Sequence, residues 1–538
     1  MNFQSYSEAH FTFISLIYYL SLMMYASIPK SALLSVYDKT DIDLLARKLL
    51  EQGYNVYASE GTYQYLKEHG VFVDSVSSIT GYPHLMNGLV KTLHPIIYAG
   101  ILCDRNNKEH LEEITKYKVP LFDIIAVNLY PYEELSLRAD LNFNDLLTYI
   151  DIGGISLIRA AVKNYQYVTI LTSPTYYSQV ISELETFGET SPETRMKLAV
   201  DAINYVAYYD ALISHFMNFT TGMWESNYQT IPLKYAGKLR YGENPHQRAF
   251  LYRYPVEKVG VVNAICLSSR KPSLNNIGDL DAGLRIISEF RDPTCVIIKH
   301  RNPCGVASSQ FLLTAFKKAY ECDSKSAFGG VVVFNRNVDS DVARELSKKF
   351  FHCLMAPHFE EEALGMLSSK KSLTIFELPG LDIYRPYGLR WIKVSGGFLL
   401  QEDTSMLLHP ENLRIVSKRA PTKEELSTMI YSWNVVKHTY SNAIVITKGS
   451  STVGIAWGES SRVDAVQHAV EKAGRRAKDA CLASDGFFPF RDSIDVMAEA
   501  GITAIIQPGG SKRDAEVIEA ANEYGMCMIF TGIRGFNH

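Results

Sequence analysis

The stretch Ser31–Ser59, SALLSVYDKTDIDLLARKLLEQGYNVYAS, decides the fold class. Ala32–Val36 is a short apolar run closed by a polar turn, the pattern of a buried strand. YDKTD turns the chain and places Asp41 to cap a helix. In IDLLARKLLEQ the apolar residues recur at helical spacing, and Gly53 stands where a helix ends on a left-handed glycine. YNVYAS reads as the next strand. Strand, helix and strand in so short a span make a parallel βαβ unit, because parallel strands need a crossover that a helix supplies.

Outward from this unit the alternation continues. EGT reads as a turn, YQYLKEHG as a helix, and Asp123–Tyr130 (DIIAVNLY) as a further buried strand. DIGGISLIRAAVKN, starting at Asp151, reads as a glycine turn that opens a helix. The expected fold is α/β, a parallel sheet with helices on both faces. Such sheets bind ligands beyond the carboxyl ends of their strands, where free helix N–H groups favour phosphate. The polar residues gathered there are Asp38, Lys39, Ser59, Thr62, Asn128, Tyr130 and Asp151. Neither GxGxxG nor GxxxxGK[ST] occurs, so dinucleotide and Walker A sites are not supported. PGGSKRD (Pro508–Asp514) reads as an anion-friendly helix start.

Helical spacing fills 191–219, and the polar connector ESNYQTIPLKYAGK puts a domain boundary near residue 229. Beyond it, CVIIK, GGVVVF, AIVITK, STVGIAW, ITAIIQP and CMIFTG are short apolar strands separated by helical segments, long enough for two subdomains. No internal repeat shows in the letters. A chain of 538 residues exceeds one ordinary core, in keeping with this division. Its 54 cations against 58 anions argue against a nonspecific nucleic-acid binder but leave local anion sites open. The eight cysteines form no CxxC and no cluster with histidine, which argues against zinc and fits reduced thiols in a cytosolic protein. Phe11–Ala26 is apolar, yet Met1–His10 lacks Lys and Arg and the run is shorter than the roughly 20 residues of a membrane span. Residues 1–26 therefore read as a non-native or disordered extension, with translation starting at Met23 or Met24.

Some stretches carry chemistry. CVIIKHRNPCG (Cys295–Gly305) drives an apolar run into Lys299 and His300, with Asn302-Pro303 and Gly305 expected to turn the chain and no acid beside the cations. A cationic neighbour lowers the proton affinity of an imidazole, favouring a neutral base; a strand end reaching water is the plainer reading. VKTLHP and AAVKN deliver Lys91 and Lys163, which with Tyr130 and Asp151 could move protons and balance phosphate charge. LRYGENPHQ is polar, aromatic and turn-forming. ASDGFFPFRD groups three phenylalanines among charges, either a stacking platform for a heterocycle or a buried aromatic turn.

Taken in order, VKTLHP, NLYP, DIGG, RAAVKN, LRYGENPHQ, IKH, YSN, SSR, SDGFFPFRD and QPGGS make the chain resemble, from about Ser31 to His538, the bifunctional purine-biosynthesis family of AICAR transformylase and IMP cyclohydrolase. The resemblance implies a methylglyoxal-synthase-like domain over 27–228 and a transformylase domain of two cytidine-deaminase-like subdomains, without zinc, over 229–538. It implies formyl transfer from 10-formyltetrahydrofolate to the 5-amino group of AICAR, then closure to IMP with loss of water. Lys299, His300, Asn442 and Asp492 would act in transfer, His300 as proton acceptor and Lys299 as the stabilising cation. Arg240, Tyr241, Gly329, Arg462, Phe487 and Arg534 match nucleotide-holding positions, and Asp492, Ser511 and Lys512 the folate side. For closure the implied set is Lys91, Tyr130, Asp151 and Lys163, with Lys163 accepting the proton and Lys91 polarising the formyl oxygen. Asp38, Lys39, Ser59, Gly61, Thr62, Thr92, Asn128 and Ile152 match nucleotide contacts. A cytoplasmic homodimer with shared transformylase sites is also implied, with neither nucleic acid nor membrane as partner, and a bound monovalent cation is allowed.

The chain departs from the family pattern in places. Leu89 stands for Arg, Glu60 sits in the SEGT turn where glycine is usual, and Tyr165 replaces His. His352 takes a usually acidic place, and AWGESSR alters another motif around Trp457 and Glu459. Leu89 and Glu60 both act against anions, so weaker IMP binding is expected. They keep open two alternatives, a transformylase with an impaired cyclohydrolase and a non-catalytic purine-nucleotide-binding relative.

Overall fold

A computed structural model describes residues 29–83, 86, 90, 92–138, 140–255, 257–386, 388–403, 408 and 410–538. The expected N-terminal extension, residues 1–26 with Met23 and Met24, lies outside the described residues. The chain divides into two compact units, one running to Lys234 with Tyr254 and Pro255, the other Tyr235–Arg253 with Glu257–His538.

The first unit contains β1 (Ser31–Ser35), α1 (Ile42–Glu51), β2 (Asn55–Ala58), α2 (Glu60–Glu68), β3 (Asp74–Ser75), α3 (Pro95–Leu102), β4 (Phe122–Val127), α4 (Gly153–Lys163), β5 (Thr169–Leu171) and α5 (Pro192–Thr221). Its strands are parallel in the order β3-β2-β1-β4-β5. Side chains of β1 alternate between two cores: Leu33 packs with Ile125, Val127 and Leu157, while Ala32 and Leu34 pack with Ile124, Leu45 and Leu49. Burial on both faces is why the strand reads as an unbroken apolar run. The order switches direction between β1 and β4, opening a crevice beyond their carboxyl ends.

Three local expectations are corrected. Glu60-Gly61-Thr62 begins α2 and is not a turn. β4 stops at Val127, leaving Asn128–Tyr130 in the crevice loop. Asp41 adopts a left-handed φ of 55° and its side chain caps nothing. Asp38 closes the preceding turn, accepting from the Thr40 amide at 3.0 Å and hydroxyl at 2.7 Å.

The second unit contains β6 (Lys234–Lys238), β7 (Phe250–Arg253), β8 (Ile265–Cys266), α6 (Leu274–Ile287), β9 (Thr294–Lys299), β10 (Asn302–Ser308), α7 (Leu312–Cys322), β11 (Gly330–Phe334), β12 (Phe351–Ala356), β13 (Thr374–Glu377), β14 (Leu389–Val394), β15 (Gly397–Glu402) and β16 (Arg414–Ile415). It continues with α8 (Lys423–Val436), β17 (Ile444–Lys448), β18 (Ser451–Ala456), α9 (Arg462–Ala473), β19 (Cys481–Ser484), α10 (Asp492–Glu499), β20 (Ala504–Gln507), α11 (Asp514–Glu523) and β21 (Cys527–Phe530). Twelve strands form one sheet, β16-β21-β20-β19-β17-β18-β10-β9-β11-β12-β13-β8.

That order reads the same from either end. Each half has a hairpin (β9–β10 or β17–β18), an antiparallel third strand (β11 or β19), two parallel strands and a short antiparallel edge. The halves meet at β10 and β18, where the Thr452 hydroxyl accepts from the Val306 amide at 2.9 Å. One core runs under both halves, joining Val296, Ile298 and Leu284 to Trp433, Val445 and Ile506. On the opposite face each half has its own, around Phe316 and around Leu482. Topology thus shows a duplication that the letters do not.

The apolar segments fall where expected. The expected turn at Asn302-Pro303 and Gly305 does not: these residues begin β10, and the hairpin turns at His300 and Arg301. A register shift between Pro303 and Gly305 accommodates the proline, which has no N–H for the ladder. Gly305 is fixed by packing, since a Cβ there would lie 1.9 Å from the Ala319 carbonyl of α7.

Candidate functional site

In the first unit the crevice is shaped by two side chains that the sequence points to as ligand contacts. Asn128 Oδ1 accepts from the amides of Tyr37 at 2.6 Å and Asp38 at 2.8 Å, and its Nδ2 donates to the Asp38 carbonyl at 3.0 Å. It therefore ties the loop after β4 to the loop after β1. Thr62 Oγ1 accepts from Val36 N at 3.1 Å, fixing the start of α2 against the end of β1. Lys39 reaches back to the Tyr37 carbonyl at 3.2 Å. Ser59 is buried; Asp38, Gly61 and Ile152 are exposed.

Across the crevice, Asp151 Oδ1 accepts from Gly154 N at 2.6 Å, so the carboxylate sits on the first turn of α4, where the helix dipole favours it. Tyr130 packs edge-on against Tyr37 and Tyr149, at ring separations of 5.4 and 6.0 Å. Burial, and then the Asp151 charge, push its phenol above the usual tyrosine value, so it holds its proton and can donate. Among the described residues Thr92 Oγ1 is buried without a hydrogen-bond partner, and a Cβ on Gly153 would come within 2.7 Å of it.

Lys91 and Leu89 lie outside the described residues. Lys163 ends α4, ten residues after Gly153, which is about 15 Å along a helix axis. Glu60 has a local reason to be where it is, in the first turn of α2, accepting from Gln64 Nε2 at 2.6 Å.

In the second unit Lys299 and His300 stand at the tip of the β9–β10 hairpin. His300 and Arg301 have φ of 52° and 63°, both in the left-handed region. A two-residue turn of this kind normally takes Asn-Gly, because a Cβ costs about 1–2 kcal/mol in that conformation. The tip is held from below by α6: Arg301 N donates to Asp279 Oδ1 at 2.7 Å, and the Arg301 guanidinium lies on Gly278, where a Cβ would be 2.7 Å from Nε. Burial pushes the Asp279 carboxyl up, while the Arg301 amide and the charges of His300, Arg301 and Lys299 pull it back. The acid missing beside the two cations in sequence is thus supplied in space.

Lys299 Nζ donates to the Phe328 carbonyl at 2.7 Å. Next to it Gly329, at φ 67°, leaves a gap: a Cβ there would lie 3.4 Å from both Lys299 Nζ and His352 Cε1. Burial, then Lys299, Arg270 and Arg240, lower the proton affinity of His352, so these cations gather round one spot. The Arg240 guanidinium lies over the Tyr241 ring at 4.7 Å, and its Nε is buried without a hydrogen-bond partner among the described residues. Such a gathering of cations suits an anionic group.

At the same end of the sheet lies Asn442, just before β17. Its Nδ2 donates to the Glu459 carbonyl at 2.8 Å, and its Oδ1 accepts from Arg462 Nη2 at 2.7 Å. The Arg462 guanidinium also donates to the Ala443 carbonyl at 3.2 Å and to the fully buried Asp485. Asp485 accepts in addition from Ser441 Oγ and, at 2.9 Å, from Ala443 N. Arg462 therefore holds Asn442 in place. The chain terminus closes over this network: Ser441 N donates to the Asn537 carbonyl at 2.9 Å, and Gly535 N to the Asp485 carbonyl at 2.9 Å. That brings in Arg534, whose guanidinium lies 5.0 Å over Phe536.

Phe487 and Phe490 are exposed while Phe488 is fully buried, so the aromatic motif is part surface and part core. Asp492 is exposed at the start of α10, accepting from Ser493 N at 2.6 Å. The anion-friendly start expected at PGGSKRD is corrected. Asp514 accepts from the amides of Gly510 at 2.8 Å and Ser511 at 3.1 Å, so a carboxylate of the chain itself takes those N–H groups. Lys512 is exposed beside them. Sequence reasoning missed Asp279 and Asn302, which act across long separations and leave no local signature.

Two sites of this kind fit the family matches. The MGS-like domain family matches residues 41–156, and the AICARFT/IMPCHase bienzyme family matches 161–472. The bifunctional purine biosynthesis protein PurH of Caldicellulosiruptor saccharolyticus is 45% identical over 516 residues, 95% of this chain and 100% of the relative. That of Aquifex aeolicus is 47% identical over 512 residues, 94% of this chain and 100% of the relative. The chain belongs to the AICARFT/IMPCHase bienzyme family. As a bienzyme of purine biosynthesis it has both AICAR formyltransferase and IMP cyclohydrolase activity. The MGS-like match covers β2, β3 and β4 of the first unit's parallel sheet, and the bienzyme match reaches through most of the twelve-stranded sheet.

Proposed function

We propose that formyl transfer runs at the His300–Asn442 end of the second unit and ring closure in the Tyr130–Asp151 crevice of the first. The AICAR amine is a weak nucleophile because its lone pair is delocalised into the ring and carboxamide. His300 takes its proton as nitrogen attacks the formyl carbon. Lys299, aimed by the Phe328 carbonyl, faces the negative charge that builds on oxygen. Asn442, aimed by Arg462, orients the amine and formyl group. Arg240, Tyr241 and Arg534 hold the nucleotide, with Gly329 leaving room beside it. Phe487 lies toward the nucleotide, and the formyl group comes from a folate co-substrate, 10-formyltetrahydrofolate, on the Asp492, Ser511 and Lys512 side.

For closure, Tyr130 donates to the formyl oxygen and Asp151 accepts the proton lost by the carboxamide nitrogen as it attacks. Thr92, Asn128 and the amides at the start of α4 shape the nucleotide's seat. The domains divide near residue 229. A homodimer is in keeping with exposed Phe398 and Leu399 on the β14–β15 hairpin, and eight free cysteines suit the cytoplasm. No helix among the described residues is long and apolar enough to cross a membrane.

The observation that carries this reading is that Lys299, His300 and Asn442, from opposite halves of the sheet, stand at one end of it. His300→Ala should lower formyl transfer about 10²–10⁴-fold while supplied formyl-AICAR is still cyclised. Release of tetrahydrofolate and formation of IMP, followed separately by absorbance, check both arms. Loss of both activities in a folded variant would contradict the assignment of one reaction to each unit.

A further inference from the structure

We propose that Asn302 is a positioning residue for formyl transfer, setting the backbone of His300 and the segment bearing Asn442 at one fixed separation. The inference rests on the reading of His300 and Asn442 given above. The Asn302 carboxamide is buried, with 1% of the residue exposed, and bridges the two halves of the site. Its Nδ2 donates to the His300 carbonyl at 3.2 Å, and its Oδ1 accepts from the Tyr440 amide at 2.8 Å.

The orientation of this amide is not arbitrary. A carbonyl can only accept and an N–H can only donate, so the two partners fix which end faces which. Both functional side chains lie close by in the chain, one on the residue bonded and one two residues beyond it. The remaining hydrogen bonds of the Tyr440–Asn442 segment come from its own half of the sheet and from the chain terminus. Asn302 is the tie that runs to the hairpin of the other half.

The tip needs such a tie. Two non-glycine residues in the left-handed region make an unfavourable turn, and it persists only where neighbouring bonds over-determine it. Asp279 fixes the tip to α6 from below, and Asn302 fixes it sideways to Tyr440. Misplacing a reacting group by about 1 Å can cost 10²-fold. An apolar residue at 302 also removes both of these part-buried bonds, so the His300 carbonyl and the Tyr440 amide would each turn to find a new partner.

The test uses the full-length enzyme, with kcat and KM for AICAR and for 10-formyltetrahydrofolate. Asn302→Ala should lower kcat about 10–100-fold and leave both KM values within about threefold. Asn302→Asp, which keeps the acceptor for Tyr440 N–H and loses the donor to His300, should fall between Asn302→Ala and the parent enzyme. In a His300→Ala background, with the residual transfer followed under single-turnover conditions, Asn302→Ala should cost less than about threefold more, because the group it aligns is gone. Cyclisation of supplied formyl-AICAR and the thermal midpoint show that each variant is folded. Unchanged kcat in Asn302→Ala, or a full multiplicative loss in the His300→Ala background, overturns the proposal. A His300→Ala enzyme with full transfer overturns the site reading itself, and the proposal with it.

Discussion

The two halves of the twelve-stranded sheet share a plan and differ in what they put on it. In both, a lysine ending the first hairpin strand reaches the carbonyl just before the third strand: Lys299 to Phe328 at 2.7 Å, Lys448 to Lys478 at 2.9 Å. In both, a left-handed residue precedes that third strand, Gly329 or Asp479. In both, the residue after it accepts from an amide at the start of the first, Asn335 from Thr294 at 2.8 Å and Asp485 from Ala443 at 2.9 Å. These contacts are scaffold. What differs is the hairpin tip, His300-Arg301 against Gly449-Ser450, and the buried acceptor, a carboxylate paired with Arg462 against a neutral amide. One end of the sheet has a conformationally costly, ionisable tip facing a buried ion pair; the opposite end turns on a glycine. The proposed transfer site lies where the local rules are broken.

The comparison can be broken most easily at the lysines. Lys299→Met should lower formyl transfer about 10²–10³-fold, whereas Lys448→Met should stay within about twofold. Equal losses would mean that both act only as struts. The buried acceptors come next. Asp485→Ala strands the Arg462 charge and should cost about 3–5 kcal/mol in denaturant unfolding, against about 1–3 kcal/mol for Asn335→Ala. A smaller loss at Asp485 would show that Arg462 finds water or another partner. The tips give the smallest effect. His300→Gly should raise stability by about 1 kcal/mol while transfer is lost, and Gly449→Ala should lower it by about 1 kcal/mol. A destabilised His300→Gly variant would show that the imidazole itself holds the turn.

Much of this architecture was legible in the letters, for a definite reason. Strands buried on both faces write themselves as apolar runs, so CVIIK, GGVVVF, AIVITK, STVGIAW, ITAIIQP and CMIFTG all fall on strands. Turns were harder. NPCG carries turn residues, yet Pro303 sits in a strand beside a bulge and Gly305 is there for the closeness of α7. The duplication was hidden because what the halves share is topology and backbone hydrogen bonding, which many sequences satisfy. In the site, the motif residues were legible, and their supports were not. Asp279 lies 22 positions from Arg301, and Asn302 lies 138 from Tyr440.

The docking of Gly535 and Asn537 onto Asp485 and Ser441 makes the segment that bears Asn442 depend on backbone almost a hundred positions further along the chain. Clipping that stretch should therefore loosen Asn442 and spare the Tyr130–Asp151 crevice, so a protease cut there would separate the two activities without touching a reacting group.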